Sequence, residues 1–326
     1  MVTASKRSDS GDSPLVEPIS RWFREHGRDL PWREEGFTPW AGLVSEVMLQ
    51  QTPVARVLEP LGQWLERWPD AGALAQASVA DVVRAWGRLG YPRRALRLRE
   101  CAIAIVERHG GVVPTEVEAL LALPGIGDYT ARAVAVFAHR QRHPVVDTNV
   151  RRVIARAVHG QADAAPPSAR RDLADAAALL PEAADAAVEF SAAIMELGAL
   201  VCIARTPRCN GCPVAELCAW RGAGYPAYDG PKRVVQAKFE GSDRQARGAV
   251  LAALRSAEHT VSHAELEASW SSTEQLSRAI DSLIADGLVE ENASGRYRLP
   301  SSSVSPASSA SSASSSSASS SSSISS

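Results

Sequence analysis

Four cysteines, Cys202, Cys209, Cys212 and Cys218, fall within 17 residues in a C-x6-C-x2-C-x5-C arrangement. Zinc modules more often pair two short knuckles across a longer span, whereas four closely strung thiolates suit the corners of one cubane cluster. A 4Fe-4S cluster is the expected cofactor, and a zinc site is the competing reading. The loop between the first two ligands carries Arg205 and Arg208. Pinned by metal at both ends, it would hold these cations as a rigid pair for a phosphate backbone; two solvated arginines are the plainer alternative.

Two carboxylates supply a second signal. Glu46 interrupts the apolar helical run Trp40 to Leu49, with Leu43 and Leu49 as its i−3 and i+3 neighbours. Desolvation there raises a carboxyl pKa and keeps a proton available for general-acid work. Asp147 lies in Val145-Val146-Asp147-Thr148-Asn149-Val150, where Asn149 can orient it, and the same aspartate suits the N-cap of the next helix. Two carboxylates in different surroundings fit cleavage of a glycosidic bond: one protonates the leaving group, the other steadies an oxocarbenium-like sugar.

Between them in sequence comes Leu123-Pro124-Gly125-Ile126-Gly127-Asp128-Tyr129-Thr130. Gly125 and Gly127 lack the preceding strand and the third glycine that a dinucleotide fold requires. With a helix on each side, they read as a hairpin that presents backbone amides, and Thr130, at a helix N-terminus. Such a terminus is an anion site suited to a nucleic-acid phosphate.

The positioning elements are almost all helical. Apolar residues recur at threes and fours through Trp40 to Leu49, Val79 to Leu89, Leu96 to Val106 and Thr130 to Ala138. Thr115 and Glu118 have capping-box spacing for a helix ending near Leu123. The 326 residues, 45% hydrophobic and 22% charged, allow two or three domains, and no apolar run approaches the roughly 20 residues of a membrane span. The polar N-terminus offers no signal-peptide core, so the cytoplasm is the expected location. A net charge of −2 gives no global attraction to a polyanion, so any nucleic-acid contact rests on local clusters. Cys101, inside a helical run, reads as a plain buried thiol.

Residues 1–14 and the tail 301–326, with 19 serines, are expected to be disordered. Residues 15–220 form the main domain, and 221–241, rich in Gly, Pro, Lys and Arg, read as a linker. Residues 242–300 carry a helix around Arg247 to Arg255, another opened by a Ser262/Glu265 box, and a third with Leu276, Ile280, Leu283 and Ile284 on one face. A hairpin, Leu288 to Glu291 and Arg296 to Leu299, completes a small winged-helix-like α+β domain.

Ser45-Glu46-Val47-Met48-Leu49-Gln50-Gln51-Thr52, the LPGIG hairpin, VDTNV and the cysteine cluster, in this order, resemble the helix-hairpin-helix DNA glycosylases. More narrowly they resemble the adenine DNA glycosylases of the MutY family, over about Pro18 to Trp220. The resemblance implies a mainly α fold and removal of adenine mispaired with 8-oxoguanine or guanine in double-stranded DNA, by a monomer acting at the nucleoid. Glu46 would protonate the adenine, and Asp147, beside Asn149, would stabilise the sugar cation. Gln51 and Tyr91 would wedge into the duplex, while Leu30, Trp32 and Arg33 would form part of the base pocket. Endonuclease III relatives place a Schiff-base lysine where this chain has Tyr129, so without that amine no imine forms and no lyase step is expected.

Two departures stand out. The stretch Ser191-Ala192-Ala193 offers only Ser191 where the family has a polar residue holding adenine, and residues 241–300 do not resemble the NUDIX-like domain that reads oxidised guanine. Two rival functions are a mismatch thymine glycosylase on the same scaffold and a non-catalytic iron–sulfur protein that binds DNA or senses redox state. His139 and His143 read as a basic, solvated turn rather than metal ligands, and Asp172 to Glu189 as the outer face of a helix pair. The arginines of the small domain, Arg278, Arg296 and Arg298, give little support for DNA contact.

Overall fold

The computed structural model describes residues 12–231 and 238–301. Residues 1–11 and 302–326, expected to be disordered, and Lys232 and Arg233 of the linker lie outside the described residues. Among the described residues, fifteen α-helices, four short 3-10 turns and one two-stranded hairpin make up the secondary structure. The chain is mainly α, as expected.

Helix α1 (Val16–His26) opens the chain and belongs with the later helices. The first lobe is α2 (Pro39–Leu49), α3 (Leu58–Arg67), α4 (Ala71–Gln76), α5 (Val79–Trp86), α6 (Arg93–His109), α7 (Val117–Leu121) and α8 (Asp128–Phe137). Its core joins Leu43, Met48, Leu61, Leu98 and Leu120 to Trp64, whose ring meets Trp68 and Trp86 edge-on at 4.6 and 5.6 Å. Each such buried side chain contributes roughly 1.5–3 kcal/mol. Side-chain caps set the starts of these helices: Thr38 accepts from Ala41 N at 3.2 Å and Ser78 from Asp81 N at 3.1 Å. The Thr115/Glu118 box does not form. Helix α7 begins one residue later, Glu116 occupies its N-cap without a side-chain cap, and the Thr115 hydroxyl turns to the Glu116 carboxylate.

The second lobe is α1 with α9 (Thr148–Ala157), α10 (Ala169–Ala177), α11 (Ala184–Leu200) and α12 (Ala219–Gly222), around Ile19, Val150, Phe190 and Leu197. The acidic stretch 172–189 is not simply an outer face. Asp172 is largely enclosed and pairs with Arg151 at 2.8 Å, Asp175 pairs with His159 at 3.0 Å, and Glu189 pairs with Arg24 at 2.6 Å.

The third unit holds α13 (Asp243–Ser256), α14 (His263–Glu267) and α15 (Thr273–Ala285), followed by β1 (Glu290–Glu291) and β2 (Tyr297–Arg298), paired antiparallel. The Ser262/Glu265 capping box forms as expected. This small helical domain with its hairpin packs against α5 and α6 of the first lobe.

Candidate active site

Helix α2 sends Leu43, Val44, Val47 and Met48 into the core, which leaves Glu46 facing a cavity of about 800 Å³. Oxygen Oε2 of Glu46 is buried there without a hydrogen-bond partner. Burial pushes this carboxyl up to about 7; the charge of Asp147 adds to the rise and a hydrogen bond with Tyr129 opposes it. The Tyr129 hydroxyl is itself held well above its ordinary value by burial and by the two carboxylates.

Trp32, Arg33, Phe23, Phe137 and Val188 line the same cavity. Arg33 lies over the Phe23 ring at 4.7 Å and donates to Glu196 Oε2 at 3.0 Å, while Arg28 donates to both Glu196 oxygens at 2.7 Å. The two guanidiniums hold the Glu196 carboxyl at about 2, against the opposing effect of burial. Leu30 does not line the cavity: it is buried ahead of the short turn that carries Trp32 and Arg33, and so sets their position from behind. Ser191 also faces away, with its hydroxyl donating to Ala187 O at 2.7 Å, while Ala192 and Glu189 face the cavity.

Asp147 caps α9. Its Oδ1 accepts from Asn149 N at 2.8 Å and Val150 N at 2.7 Å, and its Oδ2 accepts from Asn149 Nδ2 at 2.7 Å. Burial raises its pKa, and these donors together with the Arg152 charge oppose the rise. The capping role and the orienting role of Asn149, both read from the sequence, therefore coexist. Arg152, buried at 7% exposure, donates to Asn149 Oδ1, Gly198 O and Cys202 O, each at 2.7 Å. Helices α9 and α11 meet closely here, since a Cβ on Gly198 would stand 2.7 Å from Asn149 Cβ.

The hairpin between α7 and α8 is as expected. Gly125 has φ +76°, and a Cβ on it would stand 2.7 Å from Arg97 Cβ. Gly127 is exposed at the N-cap of α8, with no side chain capping the first amides. Thr130 is buried and accepts from Gln50 Nε2 at 3.1 Å, so it supports the adjoining turn instead of facing a phosphate.

Gln51 and Tyr91 are exposed side chains on left-handed backbone, at φ +56° and +46°. Both turns hang on Arg94. One of its nitrogens donates to Val47 O, Met48 O and Gln50 O at 2.6–2.9 Å, and the other donates to Thr52 Oγ1 at 2.9 Å and Gly90 O at 3.1 Å. The guanidinium also lies over the Trp86 and Tyr91 rings at 5.1 and 5.6 Å. Residues before both Gln51 and Tyr91 are thus fixed by one side chain.

Cys202, Cys209, Cys212 and Cys218 line one hollow with Arg156 and Trp220, and none forms a disulfide. Arg156 Nη1 lies 3.5 Å from Cys202 Sγ and its guanidinium holds Ile203 O and Ala204 O at 2.8 and 3.0 Å. Arg205 and Arg208 are exposed on the adjoining loop. Among the described residues no three His, Cys, Asp or Glu side chains converge on one point as a lone metal ion would require. Cys101 is buried, with its thiol pushed up to about 12, the plain thiol expected. His139 departs from a solvated turn, since its Nε2 is buried without a partner, and His143 meets Gln141 Oε1 at 3.0 Å.

Arg94, Arg152 and Arg156 escaped the sequence reading. For α9 a signal was present: Asn149, Arg152 and Arg156 recur at helical spacing and share one face.

Residues 44–177 match the HhH-GPD superfamily of base excision DNA repair proteins. The chain is 60% identical to the adenine DNA glycosylase of Mycobacterium tuberculosis (strain H37Rv), over 86% of this chain and 91% of that one. It is 55% identical to the adenine DNA glycosylase of Mycolicibacterium smegmatis, over 87% and 95%. Among solved structures, a thermostable thymine-DNA glycosylase superposes with a TM-score of 0.56 at 25% identity, covering 64% of this chain and 95% of that one.

Proposed function

This chain belongs to the adenine DNA glycosylases of the HhH-GPD base excision repair superfamily, and from that premise we propose that it is a monofunctional, monomeric enzyme removing adenine mispaired with 8-oxoguanine or guanine. The observation that carries this reading is Glu46, a carboxyl with an unpartnered buried oxygen and a pKa near 7, facing a cavity large enough for a base. Protonated Glu46 gives its proton to the extruded adenine, the bond from ring nitrogen to C1′ breaks, and adenine departs with the bonding pair. Ionised Asp147 steadies the cationic sugar until water adds at C1′ and releases a proton. Tyr129 orients Glu46 and carries no amine, so no imine forms and the strand stays intact.

Trp32, Arg33 and Glu189 are placed to hold the base, and the amides of Gly127 and the start of α8 suit a DNA phosphate. Gln51 and Tyr91 fill the gap left by the base: extrusion costs a few kcal/mol and a stacked aromatic returns about 1–3. The four cysteines, closely strung in sequence and lining one hollow, suit the corners of a 4Fe-4S cluster. When bound, that cluster would pin the loop carrying Arg205 and Arg208.

Single-turnover base release on duplexes with A opposite 8-oxoguanine, A opposite G and T opposite G tests the reading. Release from the adenine duplexes, with strand breakage only after alkali, is expected. Release of thymine alone would favour the function of the thymine-DNA glycosylase whose structure this chain resembles. Tight binding without release would make the chain a mismatch reader.

A further inference from the structure

The loop between α5 and α6, residues 87–92, carries Tyr91 and has left-handed backbone at Gly87, Gly90 and Tyr91, with φ of +54°, +82° and +46°. Six residues with three such positions hold no regular structure of their own. The C-terminal unit grips this loop at both ends. Arg255 Nη1 donates to Gly87 O at 2.7 Å, where the loop leaves α5. Asp286 Oδ1 lies 3.3 Å from Arg93 Nη1, where α6 begins, while its Oδ2 accepts from Arg247 at 2.6 Å. The flanking helices are seated on the same unit: Val79, Ala80 and Val83 of α5 and Leu96 of α6 pack with Val250, Leu254 and Leu283, and Ala80 N donates to Pro300 O at 2.9 Å.

We propose that residues 243–300 are a brace that fixes the Tyr91 turn for insertion into the duplex, with Arg255 and Asp286 as positioning residues, and that this unit does not itself read DNA. The proposal rests on the glycosylase reading above. Charge supports it: residues 243–300 hold nine acidic side chains and six arginines. Every arginine is engaged within the protein. Arg244 lies over Phe239, Arg247 pairs with Asp286, Arg255 holds Gly87, Arg278 pairs with Glu274, Arg296 with Glu265, and Arg298 with Glu290. Helix α15, which follows α14 where a winged helix would place its groove-reading helix, exposes Glu274 and Asp281 beside Arg278.

The test uses the full chain and its Arg255→Met and Asp286→Asn variants, with melting curves on each to separate a folding defect from a loss of positioning; the second keeps the size of a largely enclosed side chain. Single-turnover release is measured on adenine opposite 8-oxoguanine and on adenine opposite an abasic gap, where no pairing has to be broken. Misplacing the turn is expected to slow release from the paired duplex by about 10–10²-fold and leave the duplex with the abasic site within about twofold of wild type. Equal loss on both duplexes, or loss on neither, overturns the brace. A wild-type chain that releases adenine from neither duplex overturns the glycosylase reading instead. Binding of the Arg278→Ala, Arg296→Ala and Arg298→Ala variants across a salt series provides a second measurement. Unchanged affinity and slope support the proposal, whereas a salt slope shallower by about one per arginine would show phosphate contacts and overturn it.

Discussion

Arg152 donates to Asn149 Oδ1 at 2.7 Å, directly behind the amide that Asn149 gives to Asp147. The same guanidinium reaches the carbonyl of Cys202 at 2.7 Å, so one buried cation stands between the carboxylate proposed to steady the sugar and the first cluster cysteine. Arg152→Met keeps most of the volume but strands the acceptors of Asn149, Gly198 and Cys202, at about 1–3 kcal/mol each. Thermal melting, iron content and single-turnover release are all expected to fall together. A variant with normal melting and a normal rate would show that Asp147 is oriented without Arg152.

Glu46→Gln retains size and hydrogen bonding and removes the acid. Base release is expected to drop by about 10²–10⁴-fold, the usual worth of a general acid, while binding to the mispaired duplex persists. On the proposed mechanism Glu46 must hold its proton and Asp147 must be ionised. The rate should therefore decline as pH rises through about 7, and decline again at acid pH as Asp147 is protonated. A flat profile between pH 6 and about 9 would remove Glu46 from the role of acid.

Stability carries the same signature with a definite sign. Glu46 titrates near 7 in the folded chain against an ordinary value of 4.5, so folding favours the protonated form. Its contribution is complete below 4.5 and is lost as pH rises to about 7, a cost on the order of 3 kcal/mol above that pH. Glu46→Gln should therefore melt higher than wild type at pH 8, with the difference closing by pH 4.5. Melting curves at the two pH values settle it.

Burial pulls the Arg94 guanidinium down to about 10, still charged at neutral pH, and its planar fork serves two turns at once. A lysine cannot span them, having three donors on a point charge. Arg94→Lys is expected to lower discrimination between mispaired and matched duplexes about tenfold, consistent with loss of one or two charge-assisted hydrogen bonds. Fluorescence of 2-aminopurine beside the target adenine should report reduced extrusion. Unchanged extrusion would show that the turns hold themselves.

Cys209→Ser removes one of the four thiols around the hollow beside Arg156. Soluble yield and DNA affinity are expected to fall before the chemical step does, because the loop bearing Arg205 and Arg208 loses its anchor. A colourless variant with full affinity would show that the loop needs no cluster.

The proposed catalytic pair was legible in the sequence because each carboxylate sits in a pattern with a local meaning: Glu46 breaks an apolar helical run and Asp147 precedes a helix. The hairpin glycines and the cysteines announced themselves by spacing. What remained hidden depends on which way a side chain turns. Ser191 and Thr130 looked available and are spent on Ala187 O and Gln50. Thr115 and Glu118 have capping-box spacing, but the chain enters α7 one residue late. Arg94 stands next to Arg93 in a basic run, yet one is a half-buried clamp and the other is an exposed side chain that reaches Asp286. Neighbouring identical residues point to different sides of a helix, and composition cannot say which side is covered.

The left-handed backbone at Gln51 and Tyr91 bears on how the chain searches DNA. Such positions cost on the order of 1–3 kcal/mol each, and here that cost falls during folding, long before a duplex arrives. In the role proposed for Gln51 and Tyr91, a probe already in its working shape need not rearrange at each base pair it meets. Intact pairs can be passed over by simple rejection, and the time spent on undamaged sequence is set by how readily a pair yields, not by how fast the protein can remodel itself.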